Sequence, residues 1–429
     1  MSHPHPPSSD SALDSELGAW PVTPLGTPLR IGTLVAVVLA LGVVAAGCTR
    51  TPVDADSPAS GRVDESSTPS SHLNSDGTDS NVPEPTDDPA SDAVREAVGA
   101  MSLEEKAASV MMIHFPGTDP LQFGEWMNQT GLAGIILMGD NTQGGSEATA
   151  ELVQATKAAS EMPLLIGIDQ EGGIVSRLED DPAAGPEALR DMDALEVFDQ
   201  QYLRADYLFS LGINTNFGVV ADITDDPGSF IWQRVLGTTP ERAAEVVAAS
   251  VEASQTAGVY ATLKHFPGHG AAPGDSHHVI PQTDLALDFW RSKDAVPFEA
   301  GIEAGAALVM LGHLAFTSVS PSPASLAPEW VDILREELGF EGAIVTDDMR
   351  MLTDSGLPEY ADGSSNVVDA LRAGVDLILY VYPGGTDPVD GTEEIINAIV
   401  SAVQTGTLAE DRLTQAAERV MALRLNATP

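Results

Sequence analysis

The sequence predicts an α/β protein: a single (β/α)8 TIM-type barrel preceded by a signal peptide and a disordered linker. Three observations carry this. After residue 91, short apolar runs alternate with longer segments of helical pattern, the signature of a parallel sheet covered by helices. There are eight such runs, and eight units over about 330 residues match a barrel with some enlarged loops. Before residue 91 the composition cannot build a core. An open doubly wound sheet is the alternative arrangement.

The N-terminal elements come first. Residues 31–46 form an apolar run, IGTLVAVVLALGVVAA, preceded by Arg30. Ala45, Ala46 and Gly47 lead into Cys48, the one cysteine of the chain. A single thiol sets no disulfide framework. The run is short for a bilayer span but suits a signal-peptide core. Small residues before cysteine resemble a bacterial lipoprotein processing site, which implies cleavage before Cys48 and lipidation of its thiol. Residues 1–47 are then a signal peptide and Cys48 the lipid anchor at the membrane. An uncleaved N-terminal anchor is the alternative, and either one exports the rest of the chain. Residues 48–90 are rich in Ser, Thr, Pro and Asp, a composition expected of a flexible tether.

From residue 91 to 429 the chain reads as one catalytic domain. The predicted strands are Val110–His114, Gly134–Met138, Leu164–Asp169, Ile213–Phe217, Tyr260–Lys264, Leu308–His313, Ala343–Asp347 and Asp376–Tyr382. Between them, Pro240–Ala257 reads as a helix with Thr239 as N-cap and Gly258 just past its end. Ser102 and Glu105 read as a capping box, and Pro328–Leu338 as a helix ending before Gly339. Barrel enzymes carry their sites at the C-terminal ends of the strands. His114, Asp169, Lys264, His313 and Asp347 all end apolar runs and would converge on one rim.

Charge excludes a class of partner. With 64 acidic against 20 basic side chains the net charge is −44. Such a surface repels phosphate backbones, so no nucleic-acid partner is expected. The oligomeric state is not legible from the sequence.

Three segments carry residues suited to chemistry. The densest is KHFPGHG, Lys264–Gly270, followed by AAPGDSHH. His265 and His269 have the i, i+4 spacing of a zinc-binding helix, but Pro267 and Gly268 between them disrupt a helix. The reading calls for no metal and no cofactor. Asp275 and His277, two apart, can bring carboxylate to imidazole, which suits proton donation followed by proton abstraction. In GAIVTDD, Asp347 ends an apolar run, where a carboxylate can attack a sugar anomeric carbon. Asp348 competes for that role. In GIDQEGGIVSR, Asp169 and Arg177 offer hydroxyl acceptors and a fixed guanidinium fork, or else a surface ion pair. Glu171 could be a general acid or a cap.

These segments resemble glycoside hydrolase family 3, in its β-N-acetylhexosaminidase branch. The resemblance runs from about Met101 to the C-terminus and includes MSLEEKAASVMM, IDQEGGIVSR, INTNFGVVADI, IWQRVLG, KHFPGHG with DSH, LREELGFEGAIVTDD and DALRAGVDLIL. It implies a retaining reaction through a covalent glycosyl-enzyme. Asp347 matches the family's nucleophile, His277 its acid/base and Asp275 the partner of that histidine. Asp169, Arg177, Arg234, Lys264 and His265 match sugar-binding positions. The implied partner is a glycan carrying terminal β-linked N-acetylglucosamine, such as a peptidoglycan fragment. Ala271-Ala272 depart from the family's Asp-Thr, which predicts a looser loop around His277. Ile174 stands where arginine is common. A phosphorylase, a β-glucosidase and a non-catalytic sugar-binding lipoprotein remain alternatives.

Overall fold

The computed structural model describes residues 89–383 and 388–427. The expected signal peptide, the lipid-anchor Cys48 and nearly all of the tether lie outside the described residues. A helix at Pro89–Gly99 begins two residues inside the expected tether. Proline suits that first position, where its missing N–H would have had no helical partner.

Eight parallel strands form the barrel: β1 (Met111–His114), β2 (Gly134–Leu137), β3 (Leu165–Ile168), β4 (Thr215–Val220), β5 (Tyr260–Phe266), β6 (Leu308–Leu311), β7 (Ala343–Thr346) and β8 (Ile378–Val381). They neighbour one another in chain order, and β8 pairs back onto β1. A bridge between Val345 and Leu377 joins β7 to β8. There the Thr346 amide donates to the Leu377 carbonyl at 3.1 Å. The ring is thereby closed, and the open-sheet alternative is set aside. All eight expected strands are present. β4 runs further towards the C-terminus than expected, and at its start the side chain of Asn214 adds to the backbone pairing with β3. It accepts from the Ile166 amide at 2.8 Å and donates to the Leu164 carbonyl at 2.9 Å.

Strand side chains alternate between two faces. Leu308 and Met310 of β6 pack inside the barrel with Met112, Phe217 and Val345. Val309 and Leu311 face the surrounding helices. Gly167 of β3 leaves room for the Phe217 ring, which lies 2.7 Å from where a Cβ would stand. The C-terminal helix Glu410–Asn426 carries Val420 into the interior cluster, with Leu423 packed against it.

The expected caps are in place. Thr239 accepts from the Arg242 amide at the start of the helix Pro240–Thr256. Ser102 and Glu105 form their capping box. The segment expected as one helix from Pro328 is α-helical only to Asp332 and widens to a π-turn over Ile333–Glu337. The Arg335 guanidinium there donates to the Phe340 and Gly342 carbonyls, each at 2.7 Å, and to Asp376 at 2.6 Å. Among the described residues no helix is long and apolar enough to cross a membrane.

Candidate active site

The rim at the C-terminal ends of the strands is where the charged residues gather. Lys264, within β5, is almost fully buried. Its ammonium lies 2.9 Å from Asp169, just beyond β3, and 2.7 Å from Glu171. Arg234, in the loop after β4, grips Glu171 with two hydrogen bonds of 2.9 and 2.8 Å. Arg177 donates to the second oxygen of Asp169 at 3.1 Å. The surface ion pair that the sequence allowed is therefore part of a buried network. Glu171 has a fully buried side chain and is neither general acid nor helix cap; it is the shared counter-ion of Lys264 and Arg234.

The loop after β3 is held by residues the sequence reading passed over. Gln170 is buried, and its side-chain oxygen accepts from the Arg177 and Leu178 amides at 2.9 and 3.1 Å. Asn216 of β4 fixes the Gln170 backbone from both sides, at 3.0 Å each way. Gly172 and Gly173 turn the chain at φ of 84° and 63°, angles open to glycine. This scaffold sets where Arg177 points.

His265 stands differently from its expected sugar-binding role. Its Nδ1 bonds Asp222 at 2.7 Å and its Nε2 meets Arg234 at 3.1 Å. Burial, then the Arg234 charge, holds the ring well below the usual histidine range. A neutral ring donates from Nδ1 to Asp222 and accepts at Nε2 from Arg234, so both nitrogens are engaged by the protein. Asp222 also accepts the His269 amide at 2.6 Å. It follows β4 much as Asp347 follows β7, and that shared pattern was its sequence signal. The boundary drawn at Phe217 hid it.

Burial would raise the Asp347 carboxyl, but His265, His313, the Asp348 amide and Lys264 together hold it below the usual range. The Asp348 amide donates to it at 2.8 Å. Asp348 itself is committed to backbone, accepting from Val381 at 2.9 Å and Arg350 at 3.1 Å. Burial pushes its carboxyl up to about 7. Of the two aspartates, Asp347 is the one kept ionised. His313 is buried between Ser325 at 2.7 Å and the Asp348 carbonyl at 2.9 Å. His114 likewise bonds Tyr382 and Asp140 rather than facing open solvent.

Asp275 and His277 form the expected pair, with Nδ1 2.7 Å from the carboxylate. The His277 side chain is 59% exposed. Burial alone would raise the Asp275 carboxyl, but the His277 amide and ring lower it overall. Ala271 and Ala272, where the sequence lacks the family's polar pair, pack inward. Ala272 is buried in the core cluster with Ala271 packed against it, and His269 bonds Ser276 at 3.0 Å. Apolar packing replaces the polar groups. Lys264 and His265 lie on a strand rather than a helix. Among the described residues no group of three or more His, Cys, Asp or Glu is placed to hold a metal ion.

This geometry agrees with comparison to known proteins. The glycosyl hydrolase family 3 N-terminal domain matches residues 102–423. The chain belongs to glycosyl hydrolase family 3. It is 33% identical over 323 residues to a β-hexosaminidase of Stenotrophomonas maltophilia strain K279a, covering 71% of this chain and 94% of that protein. Among solved structures it resembles a family 3 β-N-acetylglucosaminidase from Paenibacillus, at 33% identity and a TM-score of 0.69. That match covers 76% of this chain and 63% of the Paenibacillus chain, so just under two thirds of the longer protein is represented here. A β-N-acetylhexosaminidase from Beutenbergia cavernae matches at 26% identity and a TM-score of 0.67, over 76% of this chain and 98% of the other. Family 3 membership makes the protein a glycoside hydrolase.

One buried acid beneath the family 3 site has a measurable consequence. Asp294 is buried against Gly268 of KHFPGHG, its Cβ 3.2 Å from where a glycine Cβ would stand. Among the described residues neither of its carboxyl oxygens has a hydrogen-bond partner. Burial pushes the group up to about 7; Lys293 opposes this and Asp222 adds to it. An acid raised in the fold ionises near 4 when unfolded, so it withdraws stability as pH climbs from about 4 to 7. Relative to the wild type, Asp294→Asn is expected to gain more in Tm at pH 8 than at pH 5. A scan giving the same offset at both pH values would show that Asp294 titrates normally.

Proposed function

We propose that this family 3 hydrolase is a retaining exo-β-N-acetylglucosaminidase that removes terminal β-linked N-acetylglucosamine, with peptidoglycan fragments as its source. The observation that carries the reading is an ionised Asp347 at the end of β7 on the rim that also holds the Asp275–His277 pair. The names of the β-hexosaminidase and β-N-acetylglucosaminidase relatives support the sugar.

In the proposed reaction, Asp347 attacks the anomeric carbon while protonated His277 gives its Nε2 proton to the departing glycosidic oxygen. Asp275 holds Nδ1 and stabilises the charged ring. A covalent glycosyl-enzyme results. The ring, now neutral, takes a proton from water, which displaces Asp347 and releases the sugar with retained configuration. An imidazole spares the site the repulsion that a second carboxylate would set against Asp347. Asp169, Arg177, Arg234 and Lys264 bind the sugar hydroxyls, and His265 orients Arg234.

We further propose that residues 1–47 are a signal peptide and that lipidation at Cys48 holds the enzyme at the outer face of the cell membrane through the acidic tether. The apolar run before Cys48 supports this.

Each part has its own check. Asp347→Asn should abolish turnover of an aryl β-N-acetylglucosaminide; near-normal rates would end its assignment as nucleophile. His277→Ala should slow substrates with poor leaving groups far more than activated aryl glycosides, since only the former need a proton. Equal losses on both would count against acid catalysis. Parallel assays with aryl glucosides, and for sugar 1-phosphate in the presence of phosphate, separate the glucosidase and phosphorylase alternatives. Cys48→Ser should shift the protein from the membrane to the soluble fraction, and continued membrane retention would favour an uncleaved anchor.

A further inference from the structure

At the N-terminal end of the barrel, opposite the rim, lies a second cavity of about 360 Å³. It sits between the helix Pro89–Gly99, the end of the helix Pro120–Thr130, the turn at Ser160–Met162 and the C-terminal helix. Met101, Met127, Leu132 and Met162 give it an apolar lining. Arg424 supplies the cationic side chain in its wall.

The state of that arginine is unusual for this chain. Three arginines are buried among the described residues: Arg204, Arg234 and Arg424. Arg204 pairs with Asp181 at 2.7 Å and Arg234 with Glu171 at 2.8 Å. Arg424 is only 2% exposed, yet among the described residues no carboxylate pairs with it. Its Nε donates to the Pro163 carbonyl at 2.8 Å, its one hydrogen bond among those residues. Burial lowers it to about 10, with no neighbouring charge offsetting the cost. A buried cation without a counter-ion is costly. Scarcity of acids does not explain it, because the chain has 64. Helix C-termini around the cavity favour a positive charge, which accounts for the arginine's presence. Among the described residues they leave its Nη donors without partners.

We infer that this cavity is a binding site for a small monocarboxylate with an apolar body. The carboxylate accepts from the Nη groups of Arg424, a geometry that suits the guanidinium fork. The apolar body lies among the methionines, whose flexible side chains adapt to varied shapes. The site's own acids set the ligand's charge. Glu105 lines it but is engaged by the Ser102 amide at 2.6 Å, and Glu161 stands beside it. These two carboxylates oppose every anion, a multiply charged one such as phosphate most of all, and a single negative charge placed directly at Arg424 least.

The test uses the full-length protein and sodium hexanoate, with inorganic phosphate, hexanamide and sodium chloride at matched ionic strength. Hexanoate should raise Tm saturably, by about 2 °C or more at tenfold excess over its Kd. The other three should leave Tm in place. Arg424→Met should abolish the shift. Should that variant fold poorly, Ala100→Leu narrows the cavity without touching the guanidinium and should weaken hexanoate by tenfold or more while leaving aryl-glycoside turnover unchanged. No shift at 50 mM hexanoate (about the upper end of weak binding), an equal shift with hexanamide or phosphate, or full hexanoate affinity in both variants would each overturn the site.

Discussion

The position of one ammonium group governs the rest of the rim. Lys264 projects from β5 into a pocket where its side chain is 3% exposed, and it reaches both Asp169 and Glu171. Removing one partner from such a buried set costs about 3–5 kcal/mol, because the remaining charge is stranded. That penalty ties the loop after β3 to β5. Arg234 then ties the loop after β4 to the same Glu171. Arg177 takes the oxygen of Asp169 that Lys264 leaves. Segments from three strands are fixed relative to one another by a single chain of ion pairs, before any sugar arrives.

The same chain sets the protonation states. Asp169, Glu171, Asp222 and Asp347 interleave with Lys264, Arg177 and Arg234, so each carboxylate of the pocket has a cation close by. Placed among those cations, His265 is kept neutral and serves as a relay between Asp222 and Arg234. Asp347, with burial against it, is still held ionised. Its neighbour Asp348 is raised instead. A second full negative charge beside Asp347 would raise its carboxyl. Commitment of Asp348 to the amides at the ends of β7 and β8 gives it a structural task, and leaves Asp347 as the pocket's acting carboxylate.

Much of this was legible in the sequence, and the reasons differ by residue. The strands were readable because a parallel barrel strand is buried on both faces and appears as a continuous apolar run. The ends of those runs also marked Asp169, Lys264 and Asp347. Glu171 was misread because nothing local reveals that a carboxylate will meet Lys264 from 93 positions away and Arg234 from 63. Asp222 was missed because β4 runs on to Val220, past the boundary drawn at Phe217, which carries its polar end further along the chain. The unbroken helix expected from Pro328 failed because its widening to a π-turn coincides with the anchoring of Arg335 on Asp376, a long-range contact. At Ala271-Ala272 the sequence showed only the loss of polar groups, not the apolar contacts that stand in their place. Those alanines sit against a core where apolar side chains hold the loop.

The contrast between exposed His277 and the buried charges fits what each is proposed to do. A binding charge gains from burial, because low dielectric strengthens its interaction with the pocket. An acid/base must exchange protons with water in each turnover, and a fully buried imidazole would be held neutral, as His265 and His269 are. His277 stands 59% exposed, with Asp275 at its Nδ1. Its separation from the buried network is therefore part of the chemistry. Lys264 and its partners are organised without substrate, whereas His277, the proposed proton donor, retains contact with solvent. In the proposed reaction the sugar lies between Asp347 and His277, groups that the sequence places seventy positions apart, and the proton passes from His277 to the departing oxygen.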